Sequence, residues 1–168
     1  MIIKSVDKAI EELEALKNKQ PRDVASSVTL AMSQITGSTI SYFAQYDSGS
    51  KVLKMIGWST SAMINCSMID KPIVYKLADT GLWGDAVREQ KAVITNDYKN
   101  LEKPTKKGYP KGHVNVRKHM NLPILESGKI VLVAGVGNKP TDYTSEDAQV
   151  LEKYMTAAYR VIKAVAWD

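Results

Sequence analysis

The chain has 168 residues, 44% hydrophobic and 24% charged, a balance that suits one folded domain and excludes a globally disordered chain. No apolar run approaches the ~20 residues of a membrane-spanning helix, and the lone Cys66 excludes an internal disulfide or a cysteine-based zinc cluster. The net charge of +5 is local: residues 99–118 hold seven basic side chains and one acid, so the rest of the chain is close to neutral.

The first 20 residues read as an amphipathic connecting helix, with Ile3, Val6, Ile10 and Leu13 at steps of three and four. The domain proper is then expected over 21–168. Pro21 ends that helix or starts the next, whose apolar positions are Val24, Val28, Ala31 and Ile35, and Gly37 is a candidate stop. Residues 39–46 and 52–58 read as a hairpin around the turn 47–50. Residues 60–70 are ambiguous between helix and loop, and 72–77 read as a strand. A short helix is predicted over 81–90, with Trp83 and Val87 on one face, and a short strand over 92–95. Residues 96–112 form a long polar loop, a length that usually marks function or mobility. Strands at 119–125 and 129–137 follow. Thr144 with Asp147 resembles a helix N-cap, and the final helix is predicted to reach the last residue. Its Leu151, Met155, Ala158, Ile162 and Val165 form a heptad seam suited to a parallel dimer. Adjacent hairpins with helices at both ends indicate an α+β fold, an antiparallel sheet with a helical layer on one face.

The available chemistry is sparse. Gly135-Val136-Gly137 lies inside a strand and lacks the third glycine of a dinucleotide fingerprint, and there is no phosphate-loop motif. Cys66 could meet His113 or His119 only through folding, and the simplest role for it is a small buried hydrophobe. No short-spaced metal-ligand pair exists, although a single axial histidine to a haem needs none. Tyr42, Phe43, Tyr46, Trp58 and Tyr75 fall on strands or their ends, where core packing is expected. Trp83 and Tyr109 flank the helix-and-loop region where a cavity could lie. The basic loop has three readings: a solvated segment, a cover over an anionic ligand, or a protein contact. A nucleic-acid surface is disfavoured, since the loop carries one aromatic residue, Tyr109, and no groove-reading helix. The N-terminus lacks the apolar centre of a signal peptide, so a cytoplasmic location is expected.

Three segments, 81–98 (GLWGDAVREQKAVITNDY), 112–124 (GHVNVRKHMNLPI) and 128–155, resemble a GAF domain of the bacterial and archaeal sensory branch. The resemblance implies a five- or six-stranded antiparallel sheet. Terminal helices would cover one face, and loops would enclose a ligand pocket on the other. The pocket wall would come from 59–77, 82–87 and 96–119. Cys66, Tyr75, Trp83, Asp97, Tyr98, Tyr109, His113 and Arg117 are its expected ligand contacts. The family's bracing motif maps onto Asn138, Lys139, Tyr143 and Asp147, with a Lys139–Asp147 ion pair, Tyr in place of Phe, and Ala148 where the final Glu would be. Haem-holding relatives imply Cys66 as an attachment point and His113 as the one metal ligand. An enzymatic branch that reduces free methionine sulfoxide relies on several cysteines, so a single Cys66 excludes it, and no catalytic residue is expected. The resemblance implies a sensory input module that binds a small molecule and forms a homodimer through its terminal helices. A fused output domain would lie outside these 168 residues, and the uncapped final helix suggests a fragment of a longer receptor. A ligand-free dimerisation scaffold is the alternative.

Overall fold

The computed structural model describes residues 3–59, 73–108 and 114–167. Helix α1 (Val6–Glu12) is capped by Ser5 and tightens into a 3-10 turn over Leu13–Leu16, so it is shorter than the predicted 20-residue helix. Helix α2 (Pro21–Thr36) places Pro21 in its first turn and ends at Gly37, whose φ of +73° is the left-handed cap that glycine favours. Strands β1 (Ile40–Asp47) and β2 (Val52–Trp58) form the predicted hairpin. Strand β3 (Val74–Lys76) leads through two 3-10 turns into helix α3 (Asp85–Glu89) and strand β4 (Val93–Thr95). Strands β5 (His119–Glu126) and β6 (Lys129–Gly137) pair next, and helix α4 (Ser145–Ile162) follows. The six strands make one antiparallel sheet in the order β3–β2–β1–β6–β5–β4.

Strand side chains alternate between two faces, so the register decides what each face holds. Phe43, Met120, Leu122, Ile124, Leu132, Ala134 and Val136 point to one face and form the main core with α2 and α4. That packing corrects the dimer seam. Leu151, Met155, Ala158 and Ile162 are buried against the domain's own sheet, so the 4-3-4-3 spacing is that of a core-facing helix. An aspartate at Leu151, which is 0% exposed, is expected to cost about 3–5 kcal/mol, a large share of a domain's total stability, and to lower the melting temperature. Circular dichroism with sedimentation checks this, because a dimer seam would instead give a folded monomer.

The final helix is corrected as well, since it stops at Ile162 with Lys163 as its cap. Beyond it the chain folds back. The Trp167 indole donates to the Ile162 carbonyl at 2.9 Å and meets the Phe43 ring edge-on at 6.2 Å. Lys54 holds the Trp167 carbonyl from β2.

The bracing motif has a direct physical account. Lys139 pairs with Asp147 at 2.7 Å, and Asp147 completes a reciprocal capping box with Thr144. The Tyr143 hydroxyl, absent from a phenylalanine, lies 2.6 Å from the Ser38 hydroxyl, which meets Thr36 at 2.7 Å at the end of α2. Ala148 packs against the main core. Tyr143→Phe is therefore expected to cost about 1 kcal/mol in urea unfolding. No measurable loss would deny that the hydroxyl ties α2 to the β6–α4 turn.

Candidate functional site

The face of the sheet opposite α2 and α4 carries a different set of side chains. Ala44, Leu53 and Val133 form a small apolar patch with Ala86 and Val87 of α3. Beside it lies a polar row that crosses three strands. The Tyr42 hydroxyl donates to the Asn121 carbonyl oxygen, and the Asn121 amide nitrogen lies 2.8 Å from His119 Nδ1. With Asn121 donating to Nδ1, the neutral imidazole carries its proton on Nε2. Burial pushes the His119 pKa down to about 4; nearby Asp85 favours the proton and Lys103 opposes it. Burial likewise pushes the Tyr42 hydroxyl well above the usual phenol range. Gly135 makes this row possible. Its neighbours in register are Tyr42 on β1 and Asn121 on β5, and a Cβ there would overlap the Tyr42 ring and the Asn121 amide. Trp83 stands edge-on to Tyr42 at 5.8 Å and to Tyr75 at 5.5 Å, forming an aromatic wall.

Helix α3 anchors the segments around that wall. Arg88 donates to the carbonyls of Leu77, Thr80 and Gly81 and to the Thr80 hydroxyl, clamping the turn before Trp83. Gly84 is required here, since a Cβ would collide with the Thr80 hydroxyl. Asp85 is 1% exposed and holds Arg88 at 2.9 Å, Thr105 at 2.7 Å and Lys103 at 2.8 Å. Burial alone would raise its pKa, but the bonds from Lys103, Thr105 and Arg88 outweigh that and hold the carboxyl below the usual range. The long polar loop is thus pinned to α3 through its Lys103–Thr105 stretch.

A cleft of about 680 Å³ opens where the loop approaches the ends of β5 and β6. Three stretches wall it, 96–99, 115–118 and 139–140, with Lys106 reaching in from the loop. Two asparagines hold these walls. Asn96 exchanges two hydrogen bonds with the Tyr143 backbone, at 2.8 and 3.0 Å. Asn138, at a φ of +59°, accepts from the Arg117 amide at 2.8 Å and donates to the Asn115 carbonyl at 2.7 Å. Tyr98 links this cleft to the sheet face. Its ring is 6.0 Å from His119, and the Lys106 ammonium lies 4.6 Å above it.

The predicted ligand contacts therefore fall into two groups. Tyr75 and Trp83 meet on the sheet face, and Asp97, Tyr98 and Arg117 line the cleft. Cys66, Tyr109 and His113 lie outside the described residues, as does the ambiguous stretch 60–70. Sequence reasoning placed Tyr42 in the core, weighed His119 only as a partner for Cys66, and passed over Asn121, Asp85 and Arg88 as site residues. One signal was present: Asn121 is a lone amide in the apolar run 120–125, opposite a strand glycine. Among the described residues, no group of three or more His, Cys, Asp or Glu is arranged to hold a metal ion. No helix among them is long and apolar enough to cross a membrane.

The family model for the GAF domain matches residues 18–163, and the chain belongs to that family. It is 39% identical over 155 residues to the methyl sulfide methyltransferase-associated sensor of Methanosarcina acetivorans. That match covers 92% of this chain but spans only 15% of the sensor's length. Among solved structures, the fold is similar to the GAF domain of a phosphoenolpyruvate-protein phosphotransferase from Coxiella burnetii, with a TM-score of 0.73 at 12% identity, covering 95% of this chain and 94% of that one. It is also similar to free methionine-R-sulfoxide reductase from Neisseria meningitidis, with a TM-score of 0.57 at 14% identity, covering 92% of this chain and 90% of the other.

Proposed function

We propose that this chain is the small-molecule input domain of a signal-transduction protein, non-catalytic in itself. The observation that carries the reading is the Tyr42–Asn121–His119 row on the sheet face away from α2 and α4, walled by Trp83 and Tyr75. Fixed polar groups beside aromatic rings suit a small organic ligand, oriented by hydrogen bonds and held by stacking. A relative named as a sensor supports the signalling role. Free methionine sulfoxide reduction is disfavoured, because a single Cys66 cannot resolve a disulfide within one chain.

The route from ligand to output is short. On β5, Asn121 faces the ligand side while its neighbours Met120 and Leu122 pack in the helix-side core. A shift of β5 would be felt by α2 and α4. The domain is read as cytoplasmic and as half of a homodimer, with its contact surface on the outer side of the terminal helices. A fused output domain would receive the signal.

Native mass spectrometry and an absorption spectrum of the protein as purified test this reading. A mass above that of the polypeptide, lost on denaturation, is expected. A bare chain that takes up no small molecule would favour the ligand-free scaffold. A sharp visible band abolished by His113→Ala would identify the ligand as haem, and an added mass that survives denaturation and is lost in Cys66→Ser would make Cys66 its attachment point.

A further inference from the structure

We infer that the cleft between 96–99, 115–118 and 139–140 is a second binding site, for a small oxyanion of about two negative charges. Its lining holds five cationic side chains, Lys99, Lys106, Arg117, Lys118 and Lys139, and one acid, Asp97. Two of the cations already have partners, since Lys118 pairs with Asp142 at 2.9 Å and Lys139 with Asp147 at 2.7 Å. Counting those two acids and Asp97, the cleft keeps an excess of two positive charges. Lys106 is held in place by the carbonyls of Tyr98 at 2.6 Å and Leu101 at 3.0 Å, so its charge is a fixed feature of the wall. Lys99 and Arg117 have no side-chain partner among the described residues, and both are exposed. An exposed guanidinium that shares the cleft with an exposed ammonium suits the forked geometry of a carboxylate or phosphate. The frame is rigid independently of any ligand, because Asn138 fixes the Arg117 amide and the Tyr98 amide donates to the Arg117 carbonyl at 3.0 Å.

The chemistry is shared by phosphates and dicarboxylates, so the test uses both. Uniformly ¹⁵N-labelled protein is titrated with inorganic phosphate and, separately, with succinate, against sodium chloride at matched ionic strength. Saturable shifts of the Tyr98, Arg117 and Lys118 amides are expected with at least one of the two anions and not with chloride. The double variant Lys99→Gln/Arg117→Gln changes only exposed side chains and keeps the frame, and its affinity is expected to fall about tenfold or more. Phosphate alone giving saturation assigns a phosphate-bearing ligand; succinate alone assigns a dicarboxylate. Linear shifts that chloride reproduces, or saturation that the double variant leaves unchanged, would overturn the site. The inference stands apart from the ligand proposed for the sheet face, since a bare mass as purified would leave these titrations unaffected.

Discussion

Replacing Asp85 by alanine is expected to lower the unfolding free energy by about 3 kcal/mol or more, the usual cost of removing one partner from a buried ion pair. The carboxylate is 1% exposed and receives Lys103, Thr105 and Arg88. Its loss leaves the inner ends of Lys103 and Arg88 facing an emptied polar pocket. The drop should be visible as a melting temperature lower by about 10 °C for a domain of this size. Asp85→Asn keeps the shape and removes the charge, so it should retain part of the stability. Asp85 also joins the α3 turn to the polar loop. Hydrogen exchange in the variant should therefore rise first at residues 103–107, ahead of the sheet. A loss under 1 kcal/mol would mean that the loop is held by something other than this carboxylate.

The second large effect is a pH dependence carried by His119. Its folded pKa is about 4, below the ordinary 6.5, because burial penalises the imidazolium. The unfolded chain therefore binds a proton that the folded chain refuses. The His119 contribution is complete above pH 6.5 and is lost as the pH falls from 6.5 to about 4, with nothing further lost below that. The gap corresponds to about 3 kcal/mol. His119→Gln cannot take up the proton, and its side-chain oxygen can still accept from Asn121. Urea unfolding at pH 7 and pH 4 should thus show the wild type losing about 3 kcal/mol more than the variant. Equal losses would place His119 in contact with water in the folded state.

Much of the architecture was legible from periodicity and turn chemistry. The αL stop at Gly37, the hairpin from Ile40 to Trp58, the β5–β6 pair and the Thr144 cap all rest on local rules that tertiary contacts did not override. The seam of α4 was misread for a physical reason. A 4-3-4-3 apolar spacing describes one stripe of a helix equally well whether that stripe meets a partner helix or its own sheet. The last helix was overextended because the residues after Ile162 have no breaker. Past Ile162 the chain makes contacts that local spacing does not announce, with Trp167 bonded back to the Ile162 carbonyl and packed on Phe43.

The site was half legible. Tyr98 and Arg117 were singled out and line the cleft, and Trp83 and Tyr75, also singled out, meet on the sheet face. Tyr42, Asn121 and His119 were not read as a row, since which strand faces share a row depends on register, and register is not written in any one strand. The basic loop shows the same limit. Its charge was visible as a local excess. Its partners, Asp85 and Glu89 for Lys103 and Asp142 for Lys118, come from elsewhere in the chain.

The central claim, that a small molecule is read on the sheet face away from α2 and α4, has an internal control in its tryptophans. Trp83 stands on that face and Trp167 packs on the helix side. The most direct measurement compares the indole N–H resonances of the protein as purified with those after unfolding, removal of small molecules and refolding. The account predicts that the Trp83 resonance moves and that of Trp167 stays in place. An unmoved Trp83, or a shift confined to Trp167, would contradict it.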